Sequence, residues 1–448
     1  MELHEMTASE AAGLIRAGEL GPVEYARGLL ERQVHVEPRI HALAHFDSDN
    51  LVAGARRAEI SVKTSRVAGG APPPLIGIPV GIKDNIDTAG VPTRVGSALH
   101  ADRVPEADAP CLSPLWKAGA YLHSKTVTTE LAYFDPGPTR NPWNLGHTPG
   151  GSSSGSAAGV AAGLFPLALG SQTAGSVIRP AAYCGVVGFV PTQGSISLQG
   201  VYPFAPTVDA LGMFSRSVED AALAFAILTG SPGIISGTGG TQPLDRTPFL
   251  GLGRKYFTET ADDEEGRLAI HTAKVLHGAG AVVHVVHLPD SFSKVHDSHR
   301  RIMEVEMARG EGQSFQARPD AYGRKLAELI RAGLDSTEEE YVRALEHRRC
   351  FRADAERLVG EVDALLLPSA PSAAPFGLET TGDPRFSVPW TNAGFPVITL
   401  PASLTGRGLP LGIQLVGAPG NDLHLLRVAR WVEERLDWGR RMASLDSN

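Results

Sequence analysis

The chain has 448 residues, of which 42% are apolar and 20% charged, and a formal net charge of −8 at pH 7. That composition belongs to a globular protein able to bury a large core, and its acidic balance weighs against a nucleic-acid-binding surface. Cys111, Cys184 and Cys350 form no C-x-x-C pair, which excludes a disulfide framework and fits a reducing, cytoplasmic compartment.

The first residues, MELHEMTASE, are acidic and polar and do not read as a secretory leader. Residues 8–33 carry a helical apolar stripe of Leu14, Ile15, Tyr25, Leu29 and Leu30, with Thr7 or Ser9 as the cap. A Gly/Ala/Pro loop over 64–74 precedes LIGIPVGIKDNID, residues 75–87, which reads as a buried strand ending in a polar turn that begins at Lys83. Residues 113–119 read as helix and 120–124 as a short strand. Residues 134–151 hold four prolines and four glycines and read as loop.

From Ser152 a helix of small residues runs to about Gly163. PLALG follows as a buried strand, SQTAGS as a turn, and VIRPAAYCGVVGF as a short helix and another strand. Residues 215–229 form an amphipathic helix capped by Ser217, with Glu219 and Asp220 in its first turn. Residues 230–247 are the best linker candidate. FLGLG and AVVHVVHL read as strands around a helix over 263–279, and 291–359 as helical and charged. VDALLLPS, FPVITLPAS and LGIQLVGA read as strands, and 421–436 as a closing helix. No run approaches the roughly 18 apolar residues of a membrane span, and no second domain is read after residue 436. The pattern predicts an α/β fold with a mixed central β-sheet flanked by helices on both faces.

The densest chemistry lies in GGSSSGSAAGVAAGLFPLALGSQTAGS, residues 150–176, which offers Ser152, Ser153, Ser154, Ser156, Ser171 and Ser176. A serine becomes a nucleophile only when a base takes its proton. Lysine is scarce in this chain, so Lys83, at the end of a buried strand, stands out. Burial disfavours its charged form and leaves an amine able to accept a proton. The QTAGS turn offers backbone N–H groups that can converge on an oxyanion. Gly151-Ser152-Ser153-Ser154-Gly155 also fits the G-x-S-x-G nucleophile elbow, but a Pro/Gly loop precedes it where that motif needs a strand.

GGSSSGSAAGVAAG…PLALGSQTAGSVIRPAAYCGVVGFVPT resembles the signature region of the amidase signature hydrolases. GIPVGIKDNID resembles that family's lysine-bearing strand, and later segments extend the likeness over nearly the whole chain, most weakly over 290–360. The resemblance implies a Ser–cis-Ser–Lys triad. Ser176 is then the nucleophile, Lys83 the base, and Ser152 the bridging residue after a cis peptide bond. Ser153 is an auxiliary hydrogen-bond partner, and Thr173, Ala174, Gly175 and Ser176 form the oxyanion hole. The family often has Asp-x-Gly-Gly-Ser in this turn, whereas this chain has Gln172 and Ala174, which makes the shape of the hole at Ala174 the open point.

Tyr133, Phe134, Trp390 and Phe395 are candidates to line the substrate pocket, and Arg179 is expected to pair with a carboxylate behind the site. His296 and His299 have a spacing that can bind zinc on a helix, though their charged neighbours suggest a solvated face. Neither a metal nor an organic cofactor is expected. The resemblance implies one amidase domain over 1–448, with 291–359 covering the pocket. It implies hydrolysis of small amides, anilides or carbamates, as by a urethanase, through an acyl-enzyme. The alternatives are an amidotransferase A-type subunit working with a partner and an α/β-hydrolase-like esterase. A small-molecule amide or carbamate is the expected partner, with no nucleic acid or membrane and a homodimer allowed.

Overall fold

The apolar runs become strands of one sheet. A computed structural model describes residues 2–231 and 243–445, so residues 232–242 of the expected linker lie outside the described residues. Among the described residues the sheet has eleven strands: β1 (Leu43–Phe46), β2 (Pro79–Lys83), β3 (Tyr121–Thr126), β4 (Leu167–Gln172), β5 (Val187–Val190), β6 (Ala210–Ser215), β7 (Phe249–Gly253), β8 (Val282–Val286), β9 (Ala364–Pro368), β10 (Val397–Leu404) and β11 (Pro410–Val416). Their spatial order is β1-β3-β2-β4-β6-β5-β10-β11-β9-β7-β8. β2 runs parallel to β3 and β4, β9-β7-β8 are parallel, and the other pairs are antiparallel, so the sheet is mixed.

Alternate residues of a strand point to opposite faces, and both faces are buried over the central strands, while the edge strand β8 is largely exposed. Leu366 joins one apolar cluster while Leu365 and Leu367 join another. The helices Val218–Thr229 and Asp422–Glu433 contribute Val218, Leu425 and Leu426 to the first cluster. The helices Ser154–Ala162 and Ile178–Cys184 contribute Ala157, Ala158 and Ala181 to the second. Segment 291–359 folds into the helices Val295–Ala317, Arg324–Leu334 and Glu338–Gly360. Their Ile302, Leu326, Ile330 and Tyr341 pack in a third cluster with Leu131, Phe204 and Ala174.

Several boundaries differ from the sequence reading. Within 75–87, read as a strand giving way to a turn at Lys83, the strand is Pro79–Lys83, so it starts later than expected and Lys83 is its last residue rather than the first of the turn. The helix Ser48–Val67, capped by Asp47, and strands β1 and β6 carry no apolar run long enough to announce them. The region 8–33 splits at Gly18, a left-handed cap, into Ala8–Ala17 and Pro22–Ile40.

The helix Ser154–Ala162 lies against backbone, which is why its sequence is all Ser, Gly, Ala and Val. A Cβ on Gly155 would stand 2.1 Å from the Ala42 carbonyl oxygen and 2.4 Å from the Val127 nitrogen. Overpacking costs about 1–3 kcal/mol, and backbone cannot step aside, so Gly155→Ala is expected at the upper end of that range. Gly13, in the helix Ala8–Ala17, has nothing within 4 Å of its added Cβ. Gly13→Ala should therefore raise stability by up to about 1 kcal/mol. Denaturant midpoints of the two variants should move in opposite directions.

Candidate active site

β2 delivers Lys83 to the interior, where it has no exposed surface. Its Nζ lies 2.8 Å from Ser152 Oγ and 2.9 Å from Ser171 Oγ, and it donates more weakly to the Ser171 carbonyl at 3.4 Å. Among the described residues no carboxylate bonds to it. Burial without a bonded counter-ion lowers its pKa to about 7, with the Asp209 charge opposing the shift. Lys125 is equally buried, but its amine bonds the Ile86 carbonyl and the hydroxyls of Thr88 and Thr93, so it braces the loop after β2.

The Gly151–Ser152 peptide bond is cis. Its flanks are held from two sides. Arg179 Nη2 donates to the Gly151 carbonyl at 2.7 Å, and the Thr129 N–H donates to the Ser152 carbonyl at 3.2 Å. The Ser153 N–H reaches the Ser176 carbonyl at 3.4 Å, which sets the serine loop against the QTAGS turn. Lys83 and Ser152 are thus in contact at the end of β2, and Ser176 follows β4 with its backbone carbonyl against the serine loop; each of the three is no more than 7% exposed.

The remaining hydroxyls sort themselves by partner. Ser153 Oγ donates to the Ser171 carbonyl at 3.3 Å, Ser154 Oγ to the Val127 carbonyl, and Ser156 Oγ to the Leu169 carbonyl. Ser171, not the expected auxiliary Ser153, shares the Lys83 amine, and Asn85 Nδ2 donates to the same Ser171 hydroxyl at 2.9 Å. No sequence pattern marks Ser171 or Asn85 as a partner of the lysine, although both lie within a few residues of a motif position.

The turn 172–176 is braced without a charge at its head. Gln172 Oε1 accepts the N–H groups of Val177 and Ile178 at 2.9 and 3.1 Å, and its Nε2 donates to Thr391 Oγ1 at 2.9 Å. Thr391 Oγ1 in turn donates to the Ala174 carbonyl at 2.8 Å. Ala174 is not among the residues with positive φ, so the alanine sits in the turn without left-handed backbone. Gly175 sits in a tight space, where an added Cβ would come within 3.1 Å of Pro384 and 3.2 Å of Ser387. Thr173 Oγ1 donates to Asp209 Oδ1 at 2.5 Å.

Arg179 departs from expectation. Among the described residues its bonds go to the Gly151 carbonyl and to Thr381 Oγ1, and no carboxylate pairs with it. The guanidinium stacks 5.3 Å from the Phe134 ring centre, and burial lowers its pKa to about 10. His299 also departs from a solvated helical face. It is 1% exposed, burial lowers its pKa to about 3, and Asn392 Nδ2 lies 3.4 Å from its Nδ1. His296 bonds the Tyr256 hydroxyl.

Tyr133 and Phe134 line a cavity of about 260 Å³ together with Arg300, Lys325, Glu328 and Leu329. The Tyr133 ring stacks on Phe204 at 5.5 Å. Trp390 and Phe395 do not line that cavity. Both are 1% exposed in the core behind the site, where Trp390 stacks on Phe257. Neither the Tyr133 cavity nor a larger one of about 620 Å³, bordered by Glu10, Arg216 and Glu433, is lined by Lys83 or by the serines described above. No helix among the described residues is long and apolar enough to cross a membrane.

A family model described as Amidase matches residues 24–426. The A subunit of glutamyl-tRNA(Gln) amidotransferase from Carboxydothermus hydrogenoformans is 35% identical over 488 aligned residues, covering 98% of this chain and 99% of that one. A crystal structure of an amidase superposes with a TM-score of 0.86 at 30% identity, over 96% of this chain and 100% of its own. Peptide amidase from Stenotrophomonas maltophilia superposes with a TM-score of 0.80 at 28% identity, over 99% of each chain.

The Thr391 hydroxyl is the joint between Gln172 and the Ala174 carbonyl, and all three residues are buried. Thr391→Val keeps the shape and leaves a buried amide donor and a carbonyl unpaired, which costs about 1–3 kcal/mol. Denaturant unfolding of that variant should show a loss of this size.

Proposed function

The chain belongs to the amidase family, and from that premise we propose that it cleaves an amide C–N bond through an acyl-enzyme on Ser176. The observation that carries this reading is the buried Lys83 amine 2.8 Å from Ser152 Oγ, on the loop whose next residue bonds the Ser176 carbonyl. Uncharged Lys83 accepts a proton from Ser152 as Ser152 accepts one from Ser176. Ser176 Oγ attacks the carbonyl carbon, and the N–H groups of residues 173–176 receive the oxyanion. The C–N bond then breaks, and the amine leaves with a proton returned through Ser152. Water, deprotonated along the same relay, hydrolyses the ester to a carboxylic acid and frees Ser176.

The curated relatives support one setting best. In it the chain is an amidotransferase A-type subunit, releasing ammonia from a donor amide and working with a partner protein. A second reading, a free-standing hydrolase of small amides, anilides or carbamates, is favoured by the solved amidase and peptide amidase structures. In either setting Tyr133 and Phe134 are the walls that meet the substrate, beneath the helices of 291–359. Trp390 and Phe395 support the site from behind.

The purified chain should be offered glutamine, asparagine, simple primary amides, anilides and carbamates, with a fluorophosphonate as a probe of the serine. Turnover by the chain alone that Ser176→Ala abolishes supports the free-standing hydrolase. Silence toward the whole panel while Ser176 still takes the fluorophosphonate supports the partner-dependent reading. If the chain neither hydrolyses nor is labelled at Ser176, both readings fail.

The base must be uncharged, and its pKa lies at about 7, so the proton that blocks it is gained as pH falls through that value. The rate should be full above about pH 8 and fall about tenfold for each unit below 7. Lys83→Ala should cost at least about 100-fold at pH 8, measured as the rate of fluorophosphonate labelling.

A further inference from the structure

Asp209 stands just before β6, is 8% exposed, and no sequence motif announces it. One carboxylate oxygen takes the Thr173 hydroxyl at 2.5 Å, and the other takes the N–H groups of Phe204 and Ala205 at 2.9 and 3.0 Å. Thr173 is the first residue of the turn that offers N–H groups to the reacting oxygen. Its side chain is therefore anchored to a carboxylate that is itself fixed by two backbone donors. On the other side of Thr173, the buried imidazole of His299 lies against its backbone.

We propose that Asp209 is a positioning residue for amide cleavage, holding Thr173 and with it the oxyanion-binding turn in register with Ser176. The inference rests on the serine–lysine reading of the site. A second consequence follows from the charge. Among the described residues Asp209 is the charged group that acts on Lys83, and it favours the ammonium form. Glu306, on the helix Val295–Ala317, is the charged neighbour that acts on Asp209 in turn, and its own carboxylate bonds the Thr207 N–H and the Tyr341 hydroxyl. His299, held neutral by burial, adds no charge.

Asp209→Asn removes the charge while its amide can still meet Thr173 and the two backbone donors, so it separates the bond from the field. The field lost with it had been keeping the proton on Lys83. The lysine in that variant should therefore release its proton at lower pH.

The test is the second-order rate of Ser176 labelling by a fluorophosphonate, resolved into maximal rate and half-saturating concentration across pH 5–9. The proteins are wild type, Asp209→Asn, Asp209→Ala, Thr173→Val and Thr173→Ser, and the pair Asp209→Ala with Thr173→Val. Folding of each is checked by its melting transition. Asp209→Ala and Thr173→Val are each expected to lower the maximal rate about ten- to a hundredfold, less than the loss of an oxyanion donor itself. Half-saturation should stay within about twofold. The pair should be no slower than the slower single variant, because both break the same bond, and Thr173→Ser should recover most of what Thr173→Val loses. The acid limb of Asp209→Asn should lie at lower pH than that of wild type, while the limb of Thr173→Val stays in place.

A pair whose losses multiply overturns the inference, as does an Asp209→Asn limb that coincides with wild type. Should Asp209→Ala fail to fold, the Asp209→Asn limb and the Thr173 pair of variants decide alone. Wild type that is not labelled at Ser176 sinks the serine–lysine reading itself. A labelled wild type with unaltered Asp209 variants sinks only the role of Asp209.

Discussion

An amine at the end of β2 has no surface open to solvent and, among the described residues, no bonded carboxylate. Bulk solvent would keep it charged, and a contacting carboxylate would do the same; the interior around Lys83 supplies two hydroxyls and a carbonyl instead. Those groups satisfy the amine's hydrogen bonds in either protonation state without fixing a proton on it. The proposed mechanism presupposes this. The proposed relay needs a free lone pair at its far end, and burial of the amine favours the uncharged form that carries one.

Excluding water needs close packing, and close packing needs small residues. The helix Ser154–Ala162 approaches β1 and β3 so nearly that glycine is required at 155, and Gly81 and Gly159 make room for the ring of Phe165. The Ser/Gly/Ala composition that looks like a flexible linker is therefore the opposite, a stretch buried at every residue. Its hydroxyls bond carbonyls that a larger polar residue could not reach, which keeps the buried backbone satisfied.

The contact of Lys83 with Ser152 is legible in the sequence because one closes a buried strand and the other opens the serine loop, each inside a contiguous motif. The mixed sheet is legible because its strands are apolar runs such as VDALLLPS. What escapes a sequence reading is set by three-dimensional closure. Asp209, Thr391 and Asn85 meet the site across 36, 217 and 86 residues of chain, and no local pattern marks them. The general rule for buried charges would give Arg179 a carboxylate, but here its Nη2 meets a carbonyl and a hydroxyl and the guanidinium lies over an aromatic face, while Nε and Nη1 are buried without a hydrogen-bond partner. Trp390 and Phe395 belong to the core because a side chain near a site in sequence can face the other side of its helix or strand. The strand β6 is hidden because ALGMFS has too few branched residues to stand out, although it pairs along the whole of β4.

The amide of Gln172 joins the turn to Thr391 and to the helix that follows, and none of those groups ionises in water. Acid that protonates the lysine therefore has no purchase on this part of the scaffold. Under the proposed mechanism a single proton on Lys83 stops the relay, while the geometry of the turn is kept by a clasp that is indifferent to the medium.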